Sequence, residues 1–139
     1  MARWLFKSEP DCYSFADLQR DGTTLWDGVT NALARKHLRA VQPGDRIWYY
    51  HTGGEKAIVG LMEAVGGPRA DPNDDDPKAV VVEVKPVRTL KHPVPLARIK
   101  DDPLLADWDL VRLPRLSVVP VSPEQWRRVE ELVKAAGSA

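Results

Sequence analysis

The segment Asp45-Arg46-Ile47-Trp48-Tyr49-Tyr50-His51 predicts a β-strand more strongly than any other part of the chain. Its aromatic and β-branched residues are types that fit a pleated, half-buried surface. Turn-forming residues bound it on both sides, as Pro43-Gly44 and Gly53-Gly54. A second strand is predicted over 57–65, directly after the glycine-rich turn, so the two segments should form a hairpin.

The residues before this hairpin predict one more strand and two helices. A short strand over 3–8 ends ahead of Pro10. A short helix follows over 14–18, with Ser14 as its N-cap, and a second helix runs over 31–40. Leu38 of this second helix lies three residues after Arg35 and can face inward.

The residues after the hairpin predict two strands and a final helix. A polar loop over 66–78 leads to a long strand over 79–90, in which Pro86 implies an edge position or a bulge. Short helical turns are expected over 93–109 and a closing strand over 116–119. The last helix starts at Ser122, with a capping box to Gln125 and an apolar stripe that should be core. The members of that stripe are Trp126, Val129, Val133 and Ala136, with Leu132 beside it.

This order of elements favours an α+β fold with a small, mostly antiparallel, barrel-like β-sheet flanked by helices. Helices and strands do not alternate regularly, which argues against a doubly wound parallel sheet. The chain has 139 residues, of which 43% are hydrophobic, enough for one core. A single domain over 1–139 is therefore expected.

The charge balance limits the kinds of partner. The 20 basic and 20 acidic residues cancel, whereas a protein that grips a duplex through many phosphates has a basic surplus. Residues 63–83 are mainly acidic and residues 85–115 mainly basic, which predicts either one modestly basic face or two ordinary solvated ones. The sequence has no apolar run long enough to predict a membrane-spanning helix. The single Cys12 fits a reducing compartment, the cytoplasm or a nucleus.

No catalytic, metal-binding or cofactor-binding motif is present in the sequence. The polar loop over 66–78, called the acidic loop below, has four aspartates in six residues. It lacks the central glycine and closing glutamate of a calcium loop. We therefore expect no cofactor and no metal.

The sequence supports a binding site for a flat ligand better than it supports a catalytic or metal site. Trp26 is predicted to lie in a glycine-containing turn ahead of the second helix, where its ring can form the wall of a cleft; the alternative is that it only fills the core. Polar pairs stand at three neighbouring element ends, as Ser8-Glu9, Tyr50-His51 and Asn31 with Arg35. If these ends converge, the result suits a nucleobase, because a stacked base contributes roughly 1–3 kcal/mol.

Two other functions fit the same residues. One is a small enzyme that acts on a nucleoside or nucleotide, with Glu9 or His51 as general base. The other is a protein-interaction module that uses an exposed tryptophan patch.

Five blocks of the sequence, in this order along the chain, resemble the EVE domain. They are Trp4–Pro10, Trp26–Asn31 with Ala34-Arg35, Gly44-Asp45 leading to Tyr49–His51, Ile58–Gly60, and Arg115–Val118. The resemblance implies a PUA-like fold, related to YTH domains, and a non-enzymatic reader of a modified base that is flipped out of a duplex or presented on a single strand. The nucleic acid would be DNA or RNA.

The resemblance also assigns the ligand-binding residues. Trp26 would stack on the base, with Ser8, Glu9 and Asp27 near its edge, while Asn31 and Arg35 would line the rim or grip phosphate. The remaining lining would come from Tyr50, His51, Leu116 and Ser117. The chain departs from the family at Thr30, where an arginine is usual, and mildly at Thr52, where serine is more common. Thr30 removes a potential phosphate contact, in keeping with the neutral net charge.

Overall fold

The structure, a computed structural model, describes residues 2–137. The strands of this part of the chain are β1 (Arg3–Ser8), β2 (Thr24–Trp26), β3 (Arg46–His51), β4 (Ala57–Ala64), β5 (Arg69–Ala70), β6 (Val80–Pro95) and β7 (Val118–Val121). The helices are α1 (Phe15–Asp21), α2 (Ala32–Arg39), α3 (Leu96–Lys100), α4 (Asp109–Arg112) and α5 (Pro123–Gly137).

The strands form one curled sheet in the order β2-β6-β4-β3-β1-β7, with β5 paired to β6. The pairing of β1 with β3 is parallel and the other pairings are antiparallel. The sheet is a half-barrel flanked by helices, so the predicted α+β class with a mostly antiparallel, barrel-like sheet is confirmed.

Local signals placed the helix starts correctly. Ser14 caps α1 in a capping box with Asp17, and Ser122 and Gln125 make the same reciprocal bonds at α5. The predicted hairpin is also present, since β3 pairs antiparallel with β4, with a bulge between Tyr49 and Tyr50. Glycine matters at Gly60 of β4, because an added Cβ would lie 2.6 Å from the Phe15 ring that packs α1 onto the sheet.

Strand β6 is longer than expected and continues through Pro93 and Pro95, where helical turns were predicted. Because the Leu96 N–H bonds to the Lys56 carbonyl on the β4 side, the nitrogens of Pro95 and Pro93 face the opposite edge. No described strand pairs with that edge beyond Val84, so the missing N–H groups break no ladder bond. Pro86 lies at a register shift against β4, which confirms the expected bulge.

Three other expectations were wrong. Trp26 ends the strand β2, paired with Val82 of β6, rather than lying in a turn. Ala136 is exposed, although Trp126 and Val129 of the same stripe and the adjacent Leu132 are buried. The five tryptophans are all buried, each with 7% or less of its surface exposed, so they form no exposed tryptophan patch for a protein partner.

No helix among residues 2–137 is both long and apolar enough to cross a bilayer.

Candidate functional site

A cavity of about 530 Å³ opens where the end of β1, the end of β2 and the segment before β7 meet. Its volume lies within the roughly 300–1,000 Å³ of small-molecule sites. The predicted residues that line it are Ser8, Trp26, Asp27, Asn31 and Ser117. The sheet brings them together, since the Lys7 N–H donates to the Ser117 carbonyl at 2.9 Å and so joins β1 to the β7 side.

Trp26 is both a core residue and part of the cavity wall. Its ring centroid lies 5.3 Å from that of Phe6 and 5.4 Å from that of Tyr49, and 7% of its surface is exposed. Its indole N–H has no hydrogen-bond partner within residues 2–137. Unlike the unpaired N–H groups of Arg3 and Trp48, it is not completely enclosed by the protein. The indole is therefore held rigidly, with a donor left for a ligand.

The loop 27–31 carries two more of the predicted lining residues, Asp27 and Asn31. Gly28 has φ +72°, a left-handed conformation that glycine adopts without strain, and it turns the chain so that Val29 is buried. Asn31 then caps α2, with its Oδ1 accepting from the Ala34 N–H at 2.9 Å. Asp27 stays exposed at the cavity, where its carboxylate can accept hydrogen bonds.

Ser8 is restrained by the loop that follows β1. Its hydroxyl donates to the Tyr13 carbonyl at 2.7 Å, and the Tyr49 hydroxyl donates to the same oxygen at 2.6 Å. Burial raises the pKa of Tyr49, so this hydroxyl keeps its proton. Because the Ser8 proton is already donated, its Oγ can offer a ligand only acceptor lone pairs.

Two basic residues that sequence reasoning did not assign to the site also line the cavity. Burial lowers the pKa of Lys7 to about 8, and its ammonium donates to the Pro114 carbonyl at 3.0 Å. Arg115 is exposed and makes no ion pair within residues 2–137. Both lie inside the blocks that resemble the EVE domain, so the blocks themselves were the signal that could have found them.

The remaining unassigned lining residues had weaker signals. Tyr13 and Cys12 belong to the loop after β1, whose path depends on the double acceptor at the Tyr13 carbonyl, an interaction that no sequence pattern announces. Thr30, noted only as a departure from the family, also lies on the cavity.

Arg35, expected at the rim or on a phosphate, does not line the cavity. Its Nε donates to the Val29 carbonyl at 2.7 Å and its Nη1 pairs with Asp76 at 3.0 Å. The guanidinium is thus used to hold the loop 27–31 from behind.

His51 is likewise directed elsewhere. Its Nε2 accepts from the Phe15 N–H at 3.1 Å, which satisfies a free donor at the start of α1. Its Nδ1 lies 2.7 Å from the Glu55 carboxylate and therefore carries the proton. With both nitrogens occupied away from the cavity, His51 is not placed as a general base.

The last three predicted residues lie outside the cavity lining. Glu9 is exposed, with a carboxylate oxygen 4.0 Å from the Cys12 sulfur. Tyr50 is buried beneath Lys7, whose ammonium lies 5.7 Å from the ring centroid. Leu116 lines a separate groove beside the cavity.

The aspartates of the acidic loop hold the loop's own backbone. The carboxylates of Asp71, Asp74 and Asp76 each accept from the backbone N–H two residues ahead, at 2.9 Å. These turns, with the Arg35–Asp76 pair, fasten the loop beside α2.

The chain is thus an α+β half-barrel with a polar-rimmed cavity that has Trp26 in its wall, and comparison with known proteins supplies the family. The EVE domain model matches residues 2–132, and the chain belongs to this family.

Three relatives illustrate the similarity. Thymocyte nuclear protein 1 of Homo sapiens is 33% identical over 159 residues, covering 90% of this chain and 71% of that protein. The structure of Rpa0253 from Rhodopseudomonas palustris is 41% identical, with a TM-score of 0.88 over 99% of this chain and 94% of that one. Human THYN1 in complex with 5-methylcytosine-containing DNA is 30% identical, with a TM-score of 0.88 over 96% and 98%.

Proposed function

We propose that this chain is a non-enzymatic module that binds one modified nucleobase of a nucleic acid, flipped out of a duplex or presented on a single strand, in the cavity beside Trp26. The observation that carries the proposal is the combination of a rigidly packed indole, with its N–H free, and polar groups around the same opening. An aromatic wall accepts any base face, and selectivity comes from the edge contacts.

A modified cytosine in DNA is the first ligand to test. The THYN1 structure contains DNA with 5-methylcytosine, and the chain is 30% identical to that protein. The chemistry here suits such a base. A carboxylate such as Asp27 accepts from the cytosine N4 amino group, while Leu25 and Val29 give the cavity apolar surface for a methyl group.

Absence of catalysis is part of the proposal. His51 has no free nitrogen, and Glu9, the other candidate base, lies outside the cavity lining. The site therefore offers recognition contacts, but neither Glu9 nor His51 is positioned in it as a general base.

We also propose that residues 1–139 act as one domain and that the protein works where cellular nucleic acid is found, in the cytoplasm or, in a eukaryote, the nucleus. The family model extends over residues 2–132, and the exposed thiol of Cys12 suits a reducing compartment.

The test is a binding titration with two oligodeoxynucleotides that differ only in one 5-methyl group on cytosine. We expect the parent to bind the methylated strand more tightly, and Asp27→Asn to weaken that binding about tenfold. Asp107→Asn is a suitable control, because Asp107 is also exposed but lies outside the cavity. Equal affinity of the parent for both strands, and for a wider panel of modified bases, would reject the proposal.

The same mixtures test the enzymatic alternative. After prolonged incubation, chromatography of the oligonucleotide and its nucleosides should show only starting material. Turnover that disappears in Glu9→Gln would replace the reader proposal with an enzyme.

A further inference from the structure

A second depression lies beside the cavity and shares two residues with it. This groove of about 310 Å³ runs between the first turn of α2 and the segment between α4 and β7. Asn31 and Arg115 line both the groove and the cavity. Any ligand that leaves the cavity over these residues enters the groove next.

The groove has an apolar surface that the fold leaves uncovered. Leu33 is 40% exposed and Leu113 is 37% exposed, and both line it. Single exposed leucines are ordinary on protein surfaces, but two that face one groove beside a polar cavity indicate a contact surface.

The charges around the groove favour an anionic occupant. Arg115 has no ion-pair partner within residues 2–137, and Arg112 has only a 3.8 Å contact with Asp109 while 61% of its side chain is exposed. Lys7, by contrast, is engaged by the Pro114 carbonyl. The free guanidinium of Arg115 therefore stands at the boundary between cavity and groove, where it can take a phosphate bidentately.

We infer that the groove binds the nucleotide adjacent to the modified base on the same strand. Arg115 contacts the phosphate that joins the two nucleotides, and Leu33 with Leu113 packs against the neighbouring base. This inference rests on the proposed function and deepens it. Because apolar side chains contact base faces without reading their edges, the groove contributes affinity that is independent of the neighbour's identity.

The experiment is a double-mutant cycle between protein and DNA. The protein variant is Leu33→Ser with Leu113→Ser, and the probe is a single-stranded oligodeoxynucleotide with one 5-methylcytosine. Two further probes carry an abasic site directly 5′ or directly 3′ of that base. Leu104→Ser is the matched control, because Leu104 is 62% exposed and lies outside the groove. Thermal unfolding of each variant checks the fold.

We expect the double variant to bind the intact probe about tenfold more weakly than the parent, and Leu104→Ser to bind as the parent does. The parent should bind one of the two abasic probes more weakly than the intact probe, by a similar factor. The double variant should bind that abasic probe and the intact probe with equal affinity.

The inference fails if the double variant and the parent bind the intact probe equally. It also fails if the ratio of the parent's affinity to the double variant's affinity is the same on the intact probe and on both abasic probes. Either result leaves the cavity proposal standing. A parent that binds no modified probe over its unmodified counterpart instead rejects the proposed function, and the groove inference falls with it.

Discussion

The Nε atom of Arg35 donates a 2.7 Å hydrogen bond to the carbonyl oxygen of Val29. One turn further along α2, Arg39 donates from Nη2 to the Lys78 carbonyl at 2.8 Å, while Arg35 Nη1 pairs with Asp76. The basic face of α2 thus joins the cavity loop to the acidic loop. Arg35, which the resemblance assigned to the binding site, here positions the loop 27–31 and the acidic loop.

Substitution of two arginines separates positioning from phosphate contact. Arg35→Gln should weaken DNA binding, because the loop 27–31 loses its brace, but should leave the salt dependence unchanged. Arg115→Gln should weaken binding and also flatten the plot of log K against log salt by about 0.7–0.9, as expected for one lost phosphate contact. Titrations between about 50 mM and about 200 mM salt measure both slopes.

The reverse pattern would contradict this division of roles. If Arg35→Gln flattens the slope and Arg115→Gln does not, Arg35 leaves Val29 on binding and grips phosphate itself.

Trp26 needs a conservative replacement to be informative. Removing a buried tryptophan to alanine costs about 3–5 kcal/mol, a large part of a small domain's stability, so lost binding would not identify a contact. Trp26→Phe keeps an aromatic ring against Phe6 and Tyr49 but removes the indole N–H. We expect at least about tenfold weaker binding by calorimetry, with a loss in unfolding free energy of about 1 kcal/mol.

Trp108→Phe is the matched control. Trp108 is 1% exposed and lies outside the cavity, and its N–H donates to the Pro120 carbonyl. Its replacement should lower stability at least as much without changing affinity. If both variants bind as the parent does, the indole of Trp26 is only a core residue.

The elements that sequence predicted well are those with local causes. The caps at Ser14 and Ser122 involve groups three residues apart, and the aromatic run of β3 has its turns on either side. Strand β2 has three residues and exists because β6 pairs with it, so no local pattern announces it. The continuation of β6 through Pro95 depends on β4 in the same way.

The candidate site shows the same division. Trp26, at the end of β2, and Asp27 and Asn31, in the loop that follows it, reach the cavity because they are close in sequence. Ser8 and Ser117 reach it because β1 and β7 are neighbours. Arg35 and His51 carry the expected chemistry on the expected elements, but remote partners redirect them. Asp76 lies 41 residues from Arg35, and Phe15 lies 36 residues from His51. Side-chain direction of this kind follows from tertiary contacts that sequence spacing does not contain.

Restoring the family's arginine tests the cost of the departure at Thr30. Thr30 is exposed and lines the cavity, so a longer cationic side chain has room there. Thr30→Arg should raise the affinity for DNA at low salt and steepen the salt dependence by about 0.7–0.9. Thr30→Gln adds length without charge and should leave the slope unchanged. An unchanged slope in the arginine variant would place Thr30 away from the phosphates.

Lys7 predicts a specific pH dependence of stability. Burial lowers its pKa from 10.5 to about 8, so the folded protein loses this proton at a lower pH than the unfolded chain does. Between these values the unfolded chain binds more protons, and this group's contribution to the free energy of unfolding rises with pH. Below about pH 8 the desolvation cost of the ammonium is present in full.

Lys7→Met removes that cost, so the variant's advantage over the parent in unfolding free energy should be largest near about pH 7 and shrink toward about pH 9.5. Urea denaturation of both proteins at the two pH values measures the difference. Tyr49 and Tyr50 are present in both proteins, so the part of their titration that Lys7 does not influence cancels in the difference. A difference that stays constant over this range would mean that Lys7 keeps its proton in the fold. The Pro114 carbonyl and the Tyr50 ring, 3.0 Å and 5.7 Å from its ammonium, would then offset the burial.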